Sequence, residues 1–510
     1  MASNERLRDG TSRRTFILTA AGIAAAAPLL GARRDPPGSA GSAGSAGAPA
    51  VPPSPAAPTR TGPLRIGVVG VGNRGWDNIQ ELLAEAGAPA PGAAPAPGSP
   101  APGGAAAAAP LATIAALCDV DSTYLARAGA ALPDAARFTD WRELLAAAQR
   151  GAPALDGVLV ATPDHAHFPI AAAALRAGLP VYCEKPLTHT RAQAAQLRAL
   201  AAAAGVATQM GTQIHAGENY RRVVEAIRGG AIGRVTAVDC WQLKSWGGGR
   251  LTPGAVCPPT LDWPRWLCEE PAVPYIDHIH PANWRRYWAY GSGTLGDMGC
   301  HILDLPVWAL GLWENAGERL ARPIQVHAFA AGPAPDAVGC PEWLEASWAI
   351  PRTPGLGVGM GMGAPDARSP GAGATKDSPD PLILRWFDGG RKPPFVEEIG
   401  AKDRQDYHGR FSVCFLGTQG ALFANYDQMQ FWPPALGDAW KAGEAARAAS
   451  KAVDRIPPSP GHHREWLEAI AARAPLAPRC SFNASSRLTE LVLSGMDAYR
   501  AGGTLDFEIA

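Results

Sequence analysis

Three groups of residues in this chain have types and spacings suited to chemistry. The first is Gly70, Gly72 and Gly75, spaced G-x-G-x-x-G with Asn73 and Arg74 between them. Glycines at this spacing permit a tight turn, let a pyrophosphate reach the backbone and let a helix pack on a strand, and the helix N-terminus offers free N–H groups to phosphate. The second is Glu184-Lys185-Pro186. A lysine beside a nicotinamide ring can take the hydroxyl proton of a carbinol and return it when burial and nearby positive charge favour its neutral form. Pro186 would fix the turn that aims Lys185, and Glu184 would orient it. Alone, a Lys-Pro pair after a strand reads equally as an ordinary loop. The third group is Asp297 and His301, four apart and therefore on one helix face, with Asp304 three further along. Together they could grip adjacent hydroxyls of a sugar or cyclitol, with His301 as acid or base tuned by a carboxylate. The alternative is a helix-terminal acid and a core histidine. Gly291, Gly293, Gly296 and Gly299 favour a close approach of backbone to something.

These groups need elements to hold them. A β-branched run over 66–69 leads into the glycines and a helix-compatible segment over 76–86 follows them, giving strand, turn and helix. A ribose-binding acid is expected about 20 residues beyond such a loop. Here Asp119 ends the second strand, 112–117, much later, because an Ala/Pro/Gly tract at 86–110 reads as a surface insertion, where length costs little. Asp119 would accept from the adenosine ribose hydroxyls and repel a 2′-phosphate, favouring NAD over NADP. A solvated strand-end acid is the alternative. Strands at 157–161, 180–183 and 207–210 alternate with helices at 122–132, 141–149, 168–177 and 190–204, the order of a doubly wound parallel α/β domain over 63–213. The strand at 157–161 ends in Thr162-Pro163-Asp164-His165-Ala166-His167. His165 and His167 are placed to contact cofactor or substrate, and a hydrogen-bonded core histidine fits them, and His215, equally.

The remainder, 214–510, opens with a helix at 220–228 and a strand at 234–243. An irregular Trp/Pro-rich region covers 245–290. Strand candidates follow at 324–330, 345–350, 382–387, 411–416 and 420–425, a low-complexity loop covers 351–381, and helices begin at 462 and 487. His462 and His463 are adjacent, so they point different ways on a helix, and no matched third ligand is visible. No metal is expected.

The glycine loop, Asp119, Ala161-Thr162-Pro163-Asp164-His165, Glu184-Lys185-Pro186, Gly211-Thr212-Gln213 and Gly293-Thr294-Leu295-Gly296-Asp297-Met298-Gly299-Cys300-His301 resemble the Gfo/Idh/MocA oxidoreductases, named for glucose–fructose oxidoreductase and inositol dehydrogenase. The resemblance implies a Rossmann domain followed by an α+β domain with a large, mostly antiparallel sheet that packs on the nucleotide domain and often makes a homo-oligomer contact. It implies catalytic roles for Lys185, His301 and Asp297. Thr162, Pro163, His165, Glu184 and Gln213 would join the glycine loop around the cofactor, and His215 and Asp304 would face the substrate. The activity it implies is NAD(P)-dependent oxidation of a sugar or cyclitol carbinol.

Composition sets further bounds. The 46 basic and 46 acidic residues cancel, and no basic block invites nucleic acid. Sixteen Trp residues offer faces for stacking on sugar rings or for packing. The nine Cys include no C-x-x-C pair; Cys118 and Cys183 should be free, and pairing of Cys257 with Cys268 stays open. Residues 1–32 resemble a twin-arginine export signal, with Ser12-Arg13-Arg14-Thr15-Phe16-Ile17 before an apolar stretch too short to span a bilayer. The twin-arginine machinery is then a partner, and the protein is periplasmic or secreted, or held at the membrane by an uncleaved signal. Residues 33–62 read as a flexible linker. Outside the cytoplasm no pool of free NAD recharges the enzyme, so a tightly bound, recycled cofactor fits best. An NAD-dependent glycosidase working by oxidation, elimination and reduction meets the same condition. A non-catalytic sugar-binding protein is the foil, and the presence of Lys185 argues against it.

Overall fold

The computed structural model describes residues 62–89, 91–92, 109–312, 324–329, 337–351, 381–445, 447 and 455–509. The expected export signal (1–32), the expected linker up to residue 61, most of the 86–110 insertion and residues 352–380 of the low-complexity loop lie outside the described residues. Among the described residues no helix is long and apolar enough to cross a membrane.

Six parallel strands form the first sheet: β1 (Leu64–Val69), β2 (Ala112–Cys118), β3 (Ala136–Phe138), β4 (Gly157–Val160), β5 (Val181–Cys183) and β6 (Thr208–Met210), in the order β3-β2-β1-β4-β5-β6. Ile66, Val68, Val158, Leu159 and Val160 are wholly buried, as expected of strands covered on both faces. The order reverses between β1 and β4, which opens a crevice beyond the carboxyl ends of those strands. Helices α1 (Asn73–Glu85), α2 (Ser122–Ala131), α3 (Trp141–Gln149), α4 (Asp164–Arg176) and α5 (Arg191–Ala204) connect the strands. Their starts follow the sequence chemistry: Asp121 accepts from Thr123 N, Asp140 accepts from Arg142 N, and Thr190 forms a capping box with Gln193. Helix α4 begins four residues earlier than the pattern suggested. Pro169 looks like a helix start, but it sits inside the helix, so Asp164, His165 and His167 are helical.

The second sheet has eight strands: β7 (Val235–Trp241), β8 (Ile324–Phe329), β9 (Glu345–Ile350), β10 (Leu382–Phe387), β11 (Val413–Gly417), β12 (Ala421–Ala424), β13 (Met429–Trp432) and β14 (Thr504–Phe507), ordered β13-β12-β11-β7-β10-β9-β8-β14. The β7–β10 pair is parallel and the others are antiparallel. One face carries the helix Phe482–Arg500: Trp348 Nε1 donates to Ser494 Oγ at 2.9 Å, and a Cβ on Gly495 would lie 2.7 Å from Leu295. Helix α6 (Glu218–Arg228) precedes β7, and the single turn α7 (Trp263–Trp266), α8 (Gly293–Ile302) and α9 (Asp304–Ala309) lie between β7 and β8. All nine cysteines are free thiols, Cys257 and Cys268 included.

Two features run across the expected boundary at 213/214. The helix His462–Ala472 returns to the first sheet: Trp466 is wholly buried in the core that β1 and β2 build, 3.0 Å from where a Cβ on Gly157 would stand. Residues 245–290 are indeed irregular, but they have a core of their own, which includes Leu261, Trp263, Trp266, Ile276, Ile279 and Trp284, with Trp263 stacked on Trp266 at 4.7 Å. This strap docks on the first sheet's edge: Asp262 N donates to Val120 O (2.9 Å), Ser122 N donates to Thr260 O (2.8 Å), and His280 Nε2 lies 3.2 Å from Asp121 Oδ2.

Candidate active site

A cleft of about 690 Å³ opens at the carboxyl ends of β1 and β4, lined by the glycine loop, the strap and α8. Gly70 turns there with φ +84°, and a Cβ on it would lie 2.6 Å from Ala161 O. A Cβ on Gly75 would lie 1.9 Å from Gly70 O, so only glycine lets α1 start this close to the turn. At Gly72 a side chain would strike the Tyr124 ring at 2.6 Å, so packing against α2 explains that glycine as well as any ligand does. Asp119 accepts from Val71 N (2.8 Å) and Asp121 N (2.9 Å), tying the end of β2 to the loop. Burial pushes its carboxyl up to about 6 despite these donors.

Glu184, at the end of β5, is a hub. Its Oε1 accepts from Arg74 Nε (3.2 Å), Asn78 Nδ2 (2.9 Å) and Gln213 Nε2 (2.8 Å). Burial opposes its ionisation, but Arg74 and Lys185 outweigh burial and hold the carboxyl below its ordinary range. The next residue, Lys185, reaches across to α8. Its Nζ donates to Asp297 Oδ1 (2.8 Å) and to the Asp297 carbonyl (2.7 Å). The lysine is therefore oriented by Asp297; Glu184 offers it only a 3.4 Å contact to its backbone N–H. Asp297 is held further by Arg285 Nε at 2.8 Å and by Trp246 Nε1, which donates to Oδ2 at 2.8 Å. Burial opposes its charge, yet Lys185 and Arg285 keep it well below the usual carboxylate range.

His301 lies one turn beyond Asp297 and lines the same cleft. Burial, and then the positive Lys185, push its imidazole down to about 3, so the ring is neutral at neutral pH. Its Nδ1 is buried and has no partner among the described residues. Asp164 also lines the cleft, 2 % exposed, and burial pushes its carboxyl up to about 8.

The structure brings Gly70, Gly72, Asn73, Arg74, Asp119, Thr162, Pro163, Glu184, Lys185, Gln213, Asp297 and His301 to the cleft wall. Gly75 stands just behind, in the loop's packing. Three expected residues are elsewhere. His165 is buried with Nε2 2.9 Å from Trp266 O and its ring against Trp266 and Tyr290, so it braces the strap and does not line the cleft. His215 and Asp304 pair with each other at 2.8 Å, the imidazole stacked on Trp308, away from the cleft lining. Pro306 cannot donate back to Ile302, which separates α8 from α9 at Leu303, and Asp304, beyond that point, meets His215 and not the cleft. His167 likewise spans two loop carbonyls, Pro186 O and Thr162 O, at 2.8 Å each. His462 faces Met210 O and His463 faces Asn78, so the pair does not converge.

Arg285, Trp246, Asp164 and Lys244 complete the wall and were not singled out from the sequence. Asp164 was quoted as part of a strand-end run but given no role. Trp246 sits in irregular chain, Arg285 in a single 3₁₀ turn (Asn283–Arg286) and Lys244 just past a strand end, where no periodicity predicts a direction.

The residues present fit a dinucleotide. Gly70 and Gly75 leave room only for backbone, the N-terminus of α1 opens on the cleft, and the buried Thr162 Oγ1 in the lining has no partner among the described residues. The loop and the α1 N-terminus would hold pyrophosphate, Asp119 the adenosine ribose, and Thr162, Pro163 and Gln213 the nicotinamide half.

Residues 64–212 match the family model described as an oxidoreductase family, NAD-binding Rossmann fold, and residues 228–349 match its C-terminal alpha/beta domain. Among curated proteins, the chain is 29% identical over 184 residues to the rhizopine catabolism protein MocA of Rhizobium meliloti, covering 36% of this chain and 47% of that one. It is 34% identical over 125 residues to inositol 2-dehydrogenase of Corynebacterium glutamicum, covering 24% of this chain and 29% of that one. The matches thus span about half or less of these relatives. Among solved structures, the WlbA dehydrogenase of Bordetella pertussis in complex with NADH and UDP-GlcNAcA aligns with TM-score 0.51 at 17% identity, over 88% of this chain and 100% of that one. Levoglucosan dehydrogenase in complex with NADH and L-sorbose aligns with TM-score 0.50 at 17% identity, over 88% of this chain and 99% of that one. At such identities the structural likeness establishes the fold alone.

Proposed function

Because the chain belongs to the Gfo/Idh/MocA oxidoreductase family, with its NAD-binding Rossmann fold and C-terminal alpha/beta domain, we propose that it moves a hydride between NAD and a carbinol of a sugar or cyclitol. The observation that carries this is the Lys185 Nζ, held 2.8 Å from Asp297 in a cleft that also contains the glycine loop and His301. Bound NAD supplies the hydride acceptor. Lys185, in its neutral amine form, takes the substrate hydroxyl proton as the C–H bond breaks, and Asp297 fixes its position and balances the ammonium so formed. His301, neutral and with Nδ1 unpartnered, is free to accept from or donate to a second hydroxyl.

The cofactor is retained and recycled. The strap supports this reading, since Trp266, His280 and Trp284 line the cleft, His280 with its ring 5.7 Å from that of Tyr124, and the strap holds to the first sheet's edge by the bonds already described. Retention suits a protein exported through the twin-arginine machinery into the periplasm or beyond, which the Arg13-Arg14 segment supports. A homo-oligomer would use the sheet face opposite the helix Phe482–Arg500, where half-buried Ala237, Ile383 and Ala349 lie in register.

The test is to purify the full chain without added nucleotide, identify bound nucleotide by mass spectrometry, and follow its reduction by sugars and cyclitols. NAD is expected, and Lys185→Ala should retain it while losing hydride transfer by about two orders of magnitude or more. Turnover near the unsubstituted rate would remove Lys185 from the mechanism. Product analysis on glycosides separates simple oxidation from oxidation, elimination and reduction.

A further inference from the structure

Five cations and five carboxyls line the cleft, so its charges match in number but not in place. Asp297 is spent on Lys185 and Arg285 together. Asp164 is buried, and burial pushes it up to about 8, so it is neutral at pH 7. Arg265 is held by Asp262 and Asp140, and the cation that no carboxylate holds among the described residues is Lys244. The Lys244 ammonium stands 3.4 Å from Met298 Sδ, a weak acceptor, and makes no ion pair among the described residues. Arg74, in the other half of the cleft, is already matched by Glu184 and Glu81.

Aromatic faces stand beside this charge. Arg285 lies 4.1 Å over the Trp284 ring and 5.5 Å from that of Trp246, and Trp246, Trp284 and Tyr426 all line the cleft. Flat aromatic walls suit a sugar or cyclitol ring. An ammonium without a carboxylate, facing the same space, suits an anionic substituent on that ring.

Building on the oxidoreductase reading, we infer that the substrate is a sugar or cyclitol bearing an anionic group, carboxylate, phosphate or sulfate, which pairs with Lys244. The three anions share the chemistry, and the test separates them. The NAD-loaded full chain is titrated by calorimetry with neutral hexoses in the gluco, galacto and manno configurations, and with the uronate, 6-phosphate and 6-sulfate of each. Bound NAD reduction is read in parallel. At least one anionic member should bind about tenfold or more tighter than its neutral parent, the return expected of a charge-assisted hydrogen bond. Lys244→Gln should erase that preference, and Lys244 is exposed, so the variant should fold. Rising salt should weaken the preference in the unsubstituted protein.

Equal affinity within every pair, including no detectable binding, overturns the inference, as does a preference that survives Lys244→Gln. Preferred binding of an anionic sugar without reduction of bound NAD keeps the substrate class and overturns the oxidoreductase reading. Reduction by neutral sugars alone keeps that reading and overturns the substrate class.

Discussion

Asp119 and Asp164 are both buried acids near the carboxyl ends of parallel strands, and burial raises both, yet their surroundings set different tasks. Asp119 already receives two backbone N–H groups, so it stays ionised at neutral pH and titrates near 6. Affinity for NAD should therefore fall about tenfold as the pH drops through about 6, when the carboxyl stops being a full acceptor. A fluorescence titration of NAD across that range checks this, and Asp119→Asn should show a flat profile. A break that survives in the variant would assign the titration to another group. For Asp164 the sign follows from a folded-state value of about 8, above the ordinary 3.8. Its contribution to stability is fully present below the ordinary carboxyl value and is lost as pH rises through about 8. Asp164→Asn removes that loss, so the variant's melting temperature relative to the unsubstituted protein should climb between about pH 4 and pH 8. A difference independent of pH would mean that Asp164 ionises normally. His301→Ala should cut turnover more than tenfold with bound NAD almost unchanged, since the imidazole is replaced by nothing that can hold a hydroxyl. Intact turnover per folded molecule with a lower melting temperature would reduce His301 to packing.

At the scale of elements, the proposed retention of the cofactor rests on the strap. Trp263 touches no cleft atom in the lining but stacks on Trp266, which does. Trp263→Ala should loosen the strap's core and speed NAD release by about tenfold or more, a change of about 1.4 kcal/mol. Exchange of bound NAD against labelled nucleotide measures this, and an unchanged release rate would leave the strap without a role in retention. The same element marks where the sequence stopped being legible. Strands β1, β4, β9 and β10 were readable because buried strands are short apolar or alternating runs between turn signals. The glycine loop, Lys185, Asp297 and His301 were readable because their spacing is local to one loop or one helix. Arg285, Trp246 and Lys244 were not, because irregular chain and a single turn have no period that predicts where a side chain points. Asp304 was misplaced because a shared helix face does not say how far the cleft extends along it: beyond His301 the carboxylate meets His215. Strand β13 escaped because its four residues run straight into Pro433, and β14 because it is a short strand at the chain's end.

At the scale of the molecule, the first sheet is finished by residues nearly four hundred positions downstream of its first strand. Trp466 fills the core beside Gly157, and Met210 N donates to Cys480 O at 2.8 Å. Trp466→Ala should cost about 3–5 kcal/mol, and urea unfolding followed by tryptophan fluorescence and by loss of bound NAD should shift together. Separate transitions would show that the two halves unfold independently. The returning helices also set an order of events. A chain still attached to the ribosome with residue 460 just emerged has every residue of the glycine loop, yet lacks the wall against which β1 and β6 pack. Completion of the first sheet's core, and with it of the cleft that would hold NAD, must then wait for Trp466 and Cys480. Under the export proposed above, that order makes the nucleotide a passenger loaded at the point of departure.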